Sequence, residues 1–209
     1  MNPKKFLIAG GNPTILVWDY LSWKKSSIIN KFLPKQADQI GFVTEKKGFP
    51  ALEMMGNELC INTTLAYAYS LSQSGKLIAS GIRKPIKFSN SKSGTQLFLP
   101  IAVNQIKDII LLPGIGFKKT GESSDLPILC QKYSLPAFGL LNPNSNQINP
   151  VVFVKATNST IKESACGSGS IAWAHASGYS KIIQPTRETI KVMFTSDCII
   201  VSAKVAQMK

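Results

Sequence analysis

Residues 163–170 read Glu-Ser-Ala-Cys-Gly-Ser-Gly-Ser, and an apolar run follows them as far as Ser177, just before Gly178. Glycines at the start of an apolar run permit a close approach of the backbone, and a glycine directly after such a run is typical of a helix C-terminus. The segment therefore predicts a buried helix over residues 167–177.

A cysteine that immediately precedes a helix start has surroundings that favour a reactive thiol. The helix dipole and the free amide groups of the first turn favour the thiolate form of Cys166. The same amides, those of Gly167 and Ser168 among them, bind a carboxylate or another anion. Proton abstraction next to a carboxylate is the reaction that this arrangement suits. The alternative is that Cys166 is only a small buried residue at a helix entry.

A second helix of the same kind is predicted in the first half of the chain, over residues 56–71. The run is apolar on almost every side, and Gly75 lies beyond its end. It is preceded by Glu53-Met54-Met55, so a sulfur-containing residue again stands directly before a glycine. The two helices lie at comparable places in the two halves of the chain.

Short runs rich in β-branched and aromatic residues flank both helices and are separated by Gly, Pro and Ser turn clusters. The predicted strands cover residues 6–9, 14–18, 40–45, 77–79, 86–88, 96–99, 109–112, 126–130, 151–154, 189–194 and 198–203. This order predicts an α+β fold with two similar lobes, each a strand-rich layer wrapped around a central buried helix. We expect an N-terminal lobe over residues 1–103 and a C-terminal lobe over residues 104–209, with the last strand free to return to the first lobe.

Composition excludes several classes of protein. The chain has 209 residues, of which 44% are hydrophobic and 17% charged, so it is long and apolar enough to bury a core. No apolar stretch reaches the length of a membrane-spanning helix, and we expect no membrane partner. The net charge is +13, but it comes almost entirely from dispersed lysines, with only Arg83 and Arg187 as arginines. Recognition of DNA bases relies on arginine. The lysines are therefore interpreted as a solvated surface rather than as a nucleic-acid binding site.

The cysteines argue against metal and redox motifs. They lie far apart and form no C-x-x-C pair, at positions Cys60, Cys130, Cys166 and Cys198. Zinc ribbons and thioredoxin-type sites are therefore unsupported, and no metal site is predicted. Residues 1–18 offer a basic start and an apolar run, but Asn12-Pro13 interrupts that run and no signal-peptidase pattern follows. We expect a reduced, cytoplasmic protein.

Three short segments occur in a fixed order along the chain: Gly11-Asn12, then residues 53–57 (EMMGN), then residues 165–169 (ACGSG). In this set the sequence resembles the diaminopimelate epimerase-like proteins, which are amino-acid racemases and epimerases that use no pyridoxal phosphate. In that family an E-M-C-G-N segment opens the helix of one lobe and A-C-G-[ST]-G opens the helix of the other. The resemblance spans most of the chain.

The resemblance implies a mechanism without a cofactor. Two thiols face opposite sides of the α-carbon of a small amino or carboxylic acid; one removes a proton and the other returns one. Cys166 would be one of them. The remaining implied substrate contacts are backbone amides and one side chain, at Gly56, Asn57, Gly167, Ser168 and Asn12.

Departures from the family pattern are equally informative. The family's first cysteine aligns with Met55, whose thioether has no exchangeable proton. Three alternatives follow. The second proton comes from Glu53 or from water, or the reaction is a proton shift on one face of the substrate, or another subunit supplies the second base. Cys60 lies more than one turn past the predicted helix start and is interpreted as a core thiol. In the family, a Glu-Arg pair binds the distal part of the substrate. This pair aligns with residues 157–158, which are Thr-Asn here, and the difference argues against diaminopimelate as the substrate.

The first hypothesis is thus an isomerase that moves a proton alpha to the carboxylate of a small amino or carboxylic acid, with one retained thiol. The second is a catalytically inactive relative that binds an acidic metabolite or a protein partner. Nucleic-acid binding through the positive charge is third. A homodimer is compatible with all three.

Overall fold

The computed structural model describes residues 2–33 and 36–208. Its strands in chain order are β1 (Asn2–Ile8), β2 (Gly11–Trp18), β3 (Gln39–Lys46), β4 (Phe49–Met54), β5 (Ser74–Ala79), β6 (Ile86–Ser91), β7 (Gly94–Leu99), β8 (Asn104–Ile106), β9 (Ile109–Leu112), β10 (Ile115–Lys118), β11 (Ala137–Leu140), β12 (Val151–Val154), β13 (Ser159–Lys162), β14 (Lys181–Ile183), β15 (Thr189–Phe194), β16 (Ile199–Ala203) and β17 (Val205–Gln207).

Few helices accompany these strands. They are α1 (Lys25–Phe32), α2 (Ile61–Ser70), α3 (Leu126–Lys132) and α4 (Gly167–Ser177), with short 3-10 turns at Ser123–Asp125 and Lys155–Thr157. In residues 2–33 and 36–208, every helix is too short or too polar to cross a membrane.

The strands form two sheets. An eleven-stranded sheet has the order β14-β15-β16-β7-β6-β5-β4-β3-β2-β1-β17, and a six-stranded sheet has the order β13-β12-β11-β10-β9-β8. Antiparallel pairing of β16 with β7 joins the last quarter of the chain to the first half. The final strand β17 pairs with β1, so that Phe6 lies opposite Gln207. The division of the chain at residues 103 and 104 stays a prediction.

Helices α2 and α4 are the buried centres around which the strands wrap. Every residue of α2 from Ile61 to Ala68 is buried, because the helix packs against β1 and β2 on one side and β6 and β7 on another. Helix α4 packs against β9, β14 and β15. An all-round apolar helix is stable only when it is enclosed in this way. The predicted α+β fold, strand layers around central helices, is confirmed.

Helix α4 has the predicted bounds. Gly178 ends it in a left-handed conformation with φ of 78°, which costs glycine little, and its N–H bonds the carbonyl of Ala174.

Helix α2 begins later than predicted, at Ile61 rather than Gly56. The reason is local: Asn57 has a left-handed φ of 61°, and its N–H closes a turn on the carbonyl of Met54 at 3.1 Å. Since the chain then runs without helical structure to Cys60, Gly56 and Asn57 lie in a turn and do not open the helix.

The strand predicted over residues 126–130 is also wrong, because this segment forms helix α3. A five-residue apolar run does not by itself distinguish a strand from a buried helix turn. Pro127 in the first turn favours the helix, since proline has no N–H to leave unpaired there.

Candidate active site

Two cysteines occupy the same structural position at the starts of the two central helices. Cys60 is the N-cap of α2, and its Sγ accepts a hydrogen bond from the N–H of Thr63 at 3.4 Å. Cys166 is the N-cap of α4, and its Sγ accepts from the N–H of Gly169 at 3.2 Å. Both residues have extended backbone conformations. Each thiol therefore caps the helix that it precedes.

The likeness of the two helix starts extends one turn further. The hydroxyl of Thr64 donates to the carbonyl of Cys60 at 2.7 Å, and the hydroxyl of Ser170 donates to the carbonyl of Cys166 at 2.7 Å. A cysteine followed four residues later by a hydroxyl that bonds its carbonyl is thus repeated in both halves. The structure places Cys60, rather than Met55, in the position that corresponds to Cys166.

Both thiols line one cavity. Its volume is about 30 Å³, which holds one or two water molecules. The lining residues are Asp38, Gln39, Met55, Glu58, Leu59, Cys60, Asn62, Ile115, Ala137, Val152, Val154, Ile161, Glu163, Cys166, Gly167 and Ser168. Of the residues expected at the site, Cys166, Gly167, Ser168 and Met55 are in this set.

Glu53 lies elsewhere. Its carboxylate forms ion pairs with Lys25 and with Lys46, the latter at 2.8 Å, and its side chain is partly exposed. These two lysines hold the pKa of Glu53 below its ordinary value. Glu53 is not among the described residues that line the cavity, and it is already neutralised at the surface.

Asn12 is buried next to the cavity rather than in its wall. Its backbone N–H donates to the hydroxyl of Ser164 at 2.6 Å, and its side-chain amide donates to Glu163 Oε1 at 3.4 Å. Gly11 is required at this close approach, because a Cβ there would lie 2.5 Å from the Ser164 hydroxyl oxygen. Asn12 therefore supports a carboxyl group that does line the cavity.

Asn62 is a site residue that the sequence analysis missed. Its side chain is buried; Nδ2 donates to the carbonyl of Ala165 at 2.9 Å, and Oδ1 accepts from the N–H of Gly167 at 2.9 Å. One side chain of α2 thus fixes the first turn of α4. A signal was present in the sequence, since Glu58-Leu59-Cys60-Ile61-Asn62 also resembles the E-M-C-G-N segment and keeps its cysteine.

Gln39, also missed, connects the two thiol sites. Its Oε1 accepts from the Cys60 thiol at 2.7 Å and from the Thr63 hydroxyl at 3.0 Å, and its Nε2 donates to Glu163 Oε1 at 2.6 Å. The Glu163 carboxyl in turn lies near the Cys166 thiol. Hydrogen bonds therefore connect the Cys60 thiol, through Gln39, to the carboxyl group next to Cys166.

Burial keeps both thiols protonated. It raises the pKa of Cys60 to about 12 and the pKa of Cys166 well above its ordinary value, and the neighbouring Glu163 raises the latter further. The preference for thiolate expected from the helix dipoles is outweighed by desolvation. Positive charge that enters the cavity therefore favours the thiolate form.

The buried carboxyl groups are perturbed in the same direction. Burial raises the pKa of Glu163 to about 7, the pKa of Asp38 to about 6, and the pKa of Glu58 above its ordinary value. Glu163 is thus partly ionised at neutral pH, next to a thiol.

This shift predicts a pH dependence of stability. Because the folded protein holds the Glu163 proton up to about pH 7 and the unfolded chain releases it near pH 4.5, stability falls as the pH rises through this window. The loss is on the order of 3 kcal/mol for this group. We expect urea unfolding to show greater stability at pH 5 than at pH 8. Glu163→Gln should flatten this slope; an unchanged slope would assign the effect to other groups.

Comparison with known proteins gives a relative by sequence. No protein-family model matches the chain. The chain is 26% identical over 203 residues to the histidine racemase of Fusobacterium nucleatum subsp. nucleatum, an alignment that covers 78% of this chain and 76% of that protein.

Solved structures give the fold. A predicted epimerase from Pseudomonas aeruginosa superposes with a TM-score of 0.69 at 9% identity and covers 100% of this chain and 98% of that one. A PhzF-family phenazine biosynthesis protein from Bacillus anthracis superposes with a TM-score of 0.60 at 12% identity, over 99% and 96% of the two chains. The PhzF-family protein of Enterococcus faecalis gives 0.56 at 12% identity, over 100% and 98%. This chain therefore has the fold of the PhzF-family proteins and of the predicted epimerase.

Proposed function

We propose that this protein is a cofactor-independent amino-acid racemase or epimerase of the diaminopimelate epimerase-like kind, and that Cys60 and Cys166 are its two catalytic thiols. The observation that carries the proposal is that both cysteines cap the central helices and line the same cavity. The sequence relative, a histidine racemase, supports an isomerase of amino acids.

This assignment replaces the role that the sequence analysis gave to Met55. With Cys60 as the second thiol, no second proton has to come from Glu53, from water or from another subunit. The main reason for expecting an inactive relative, the loss of one thiol, also disappears. A small amino acid as the partner, without nucleic acid or membrane, remains part of the proposal, as do a cytoplasmic location and a homodimer.

The substrate carboxylate fits where the two helix starts meet. Asn62 holds the first turn of α4 against α2, so the positive ends of both helix dipoles lie at the cavity. Gly167 and Ser168 line this part of the wall. Such an arrangement stabilises both the carboxylate and the negative charge that develops when the α-proton leaves.

The thiolate arises through Glu163 in this proposal. The ammonium group of a bound amino acid adds positive charge, which lowers the thiol pKa, and the Glu163 carboxylate accepts the proton of Cys166. The Cys166 thiolate then removes the α-proton, and the Cys60 thiol donates its proton to the opposite face of the α-carbon. Cys166 ends as a thiol and Cys60 as a thiolate, which is the state that converts the other enantiomer.

The cavity has to widen for this reaction, since about 30 Å³ does not hold an amino acid. We expect the two helix starts to move apart on entry and to close again around the substrate.

The test is α-proton exchange in D₂O. The purified protein, without added pyridoxal phosphate, is incubated with a panel of single enantiomers of amino acids, and deuterium at the α-carbon and optical inversion are measured by mass spectrometry and chiral chromatography. We expect both signals for at least one amino acid. Absence of exchange and inversion across the panel would refute the proposed activity.

A further inference from the structure

The cavity contains buried acidic groups with unused hydrogen-bonding capacity. Glu58 is 4% exposed and Glu163 is 5% exposed, and both side chains line the cavity. In the described residues, Glu58 Oε2 and Glu163 Oε2 have no hydrogen-bond partner. Buried carboxylate oxygens are ordinarily paired or hydrogen-bonded. Two such oxygens in one cavity point to a ligand that supplies positive charge.

The charge of the wall is the reverse of that of the protein. The chain carries a net charge of +13, yet Asp38, Glu58 and Glu163 line the cavity, and no lysine, arginine or histidine is among its described lining residues. The helix dipoles supply only partial positive charge, and the substrate carboxylate uses it. A basic protein thus encloses an acidic site.

Glu58 is fixed where it is. Its backbone carbonyl accepts a hydrogen bond from the hydroxyl of Ser80 at 2.9 Å. Gly56 makes room for the side chain, because a Cβ at that position would lie 2.5 Å from Glu58 Oε2. The glycine expected to contact the substrate thus leaves the space that this carboxyl group occupies.

The acidic wall favours a cationic side chain on the substrate. Three acidic residues line the cavity, Asp38, Glu58 and Glu163, and the proposed reaction protonates Glu163 while it creates a thiolate. Because burial raises the pKa of Glu58, a cation against its unpartnered oxygen is what favours the ionised form of this carboxyl group. An amino acid with a neutral side chain brings only its α-ammonium group, whereas a cationic side chain also supplies a charge for Glu58.

We propose that the site takes amino acids whose side chain carries a positively charged nitrogen, and that Glu58 binds this nitrogen through its unpartnered oxygen. The proposal rests on the proposed function and adds its substrate class. Glu58 is then the residue that determines specificity, and the α-ammonium group lies nearer to the thiols.

The experiment compares pairs of amino acids of nearly equal shape that differ in charge. Exchange at the α-carbon is measured for lysine against norleucine and for arginine against citrulline. We expect kcat/KM to favour the charged member of each pair by about 100-fold or more, because the neutral member leaves the buried Glu58 carboxylate without a cationic partner. Equal rates within both pairs would overturn the proposal and leave the racemase assignment intact.

The Glu58→Gln variant separates binding from chemistry. We expect it to raise KM for lysine and arginine by about 100-fold, with a smaller change in kcat, and to leave norleucine and citrulline within about threefold of the wild type. Glu53→Gln, at a partly exposed ion pair outside the cavity wall, is the matched control and should alter neither. A Glu58→Gln variant that loses activity equally on charged and neutral members would contradict the proposal.

Binding provides a readout that does not require turnover. Titration calorimetry on a Cys60→Ser/Cys166→Ser protein, with lysine and norleucine as the ligands, should show binding of lysine alone. The further Glu58→Gln change should remove it. If no amino acid exchanges but lysine binds in this Glu58-dependent manner, the proposed racemase fails and the cation site stands. Absence of lysine binding to this protein, with no preference for charged substrates, would overturn the cation site.

Discussion

We expect Cys60→Ser to abolish racemisation, with a fall in kcat of about 10³-fold or more, because a general acid or base is removed. A serine hydroxyl is too weakly acidic to replace a thiol in either role. The two variants should differ in which enantiomer they exchange: with one thiol left, we expect the protein to exchange the α-proton of one enantiomer without inverting it. Cys166→Ser should show the same defect with the opposite enantiomer. Chiral chromatography after incubation in D₂O measures both quantities.

Cys130→Ser is the control for this pair. Cys130 is a buried thiol of helix α3 in a separate apolar cluster, so its replacement tests the cost of a buried hydroxyl without affecting the cavity. We expect full activity from the Cys130→Ser protein that remains folded. A Cys60→Ser protein that still racemises at the wild-type rate would exclude the second thiol and restore the sources of the proton that were considered with Met55.

Asn62→Ala is expected to reduce both stability and activity. The change leaves the N–H of Gly167 and the carbonyl of Ala165 without their partner in a buried location. Each orphaned buried group costs roughly 1–3 kcal/mol, so the loss in free energy of unfolding for the two groups is about 2–6 kcal/mol. The first turns of the two central helices lose the hydrogen bonds that connect them, and kcat falls because the two thiols are no longer held at a fixed distance from each other. Urea unfolding and the exchange assay measure the two effects.

The matched control is Asn90→Ala. The Asn90 side chain also donates to two carbonyls, those of Ala68 and Ser72, but at the far end of helix α2. We expect it to lower stability while activity of the folded protein is retained. If Asn62→Ala lowers stability but leaves kcat unchanged, the link between the helices serves folding only.

Local chemistry determined what could be predicted about the fold. The bounds of α4 followed from its glycines, and β9, β12 and β15 followed from short apolar runs between turns. Helix α2 was placed correctly in its body, but its start was not, because no glycine or proline separates the left-handed Asn57 from the helix. The apolar run at residues 126–130 is so short that its length does not distinguish a strand from a helix.

The candidate site was predictable in one half and not in the other. Residues 53–57 match the family segment in four letters of five and residues 58–62 in three, so similarity alone selects the wrong register. The structure selects the second register because Cys60 caps a helix and lines the cavity. Contacts such as that between Gln39 and Glu163, which are 124 residues apart, are formed by the tertiary fold and have no local signature.

The pairing of β17 with β1 affects how this protein is made. Phe6 and Ile8 face Gln207 and Val205 across that ladder, about 200 residues away along the chain. On the ribosome, the N-terminal half therefore emerges with this edge of β1 open, and β1 gains its partner only after residues 205–207 have been synthesised.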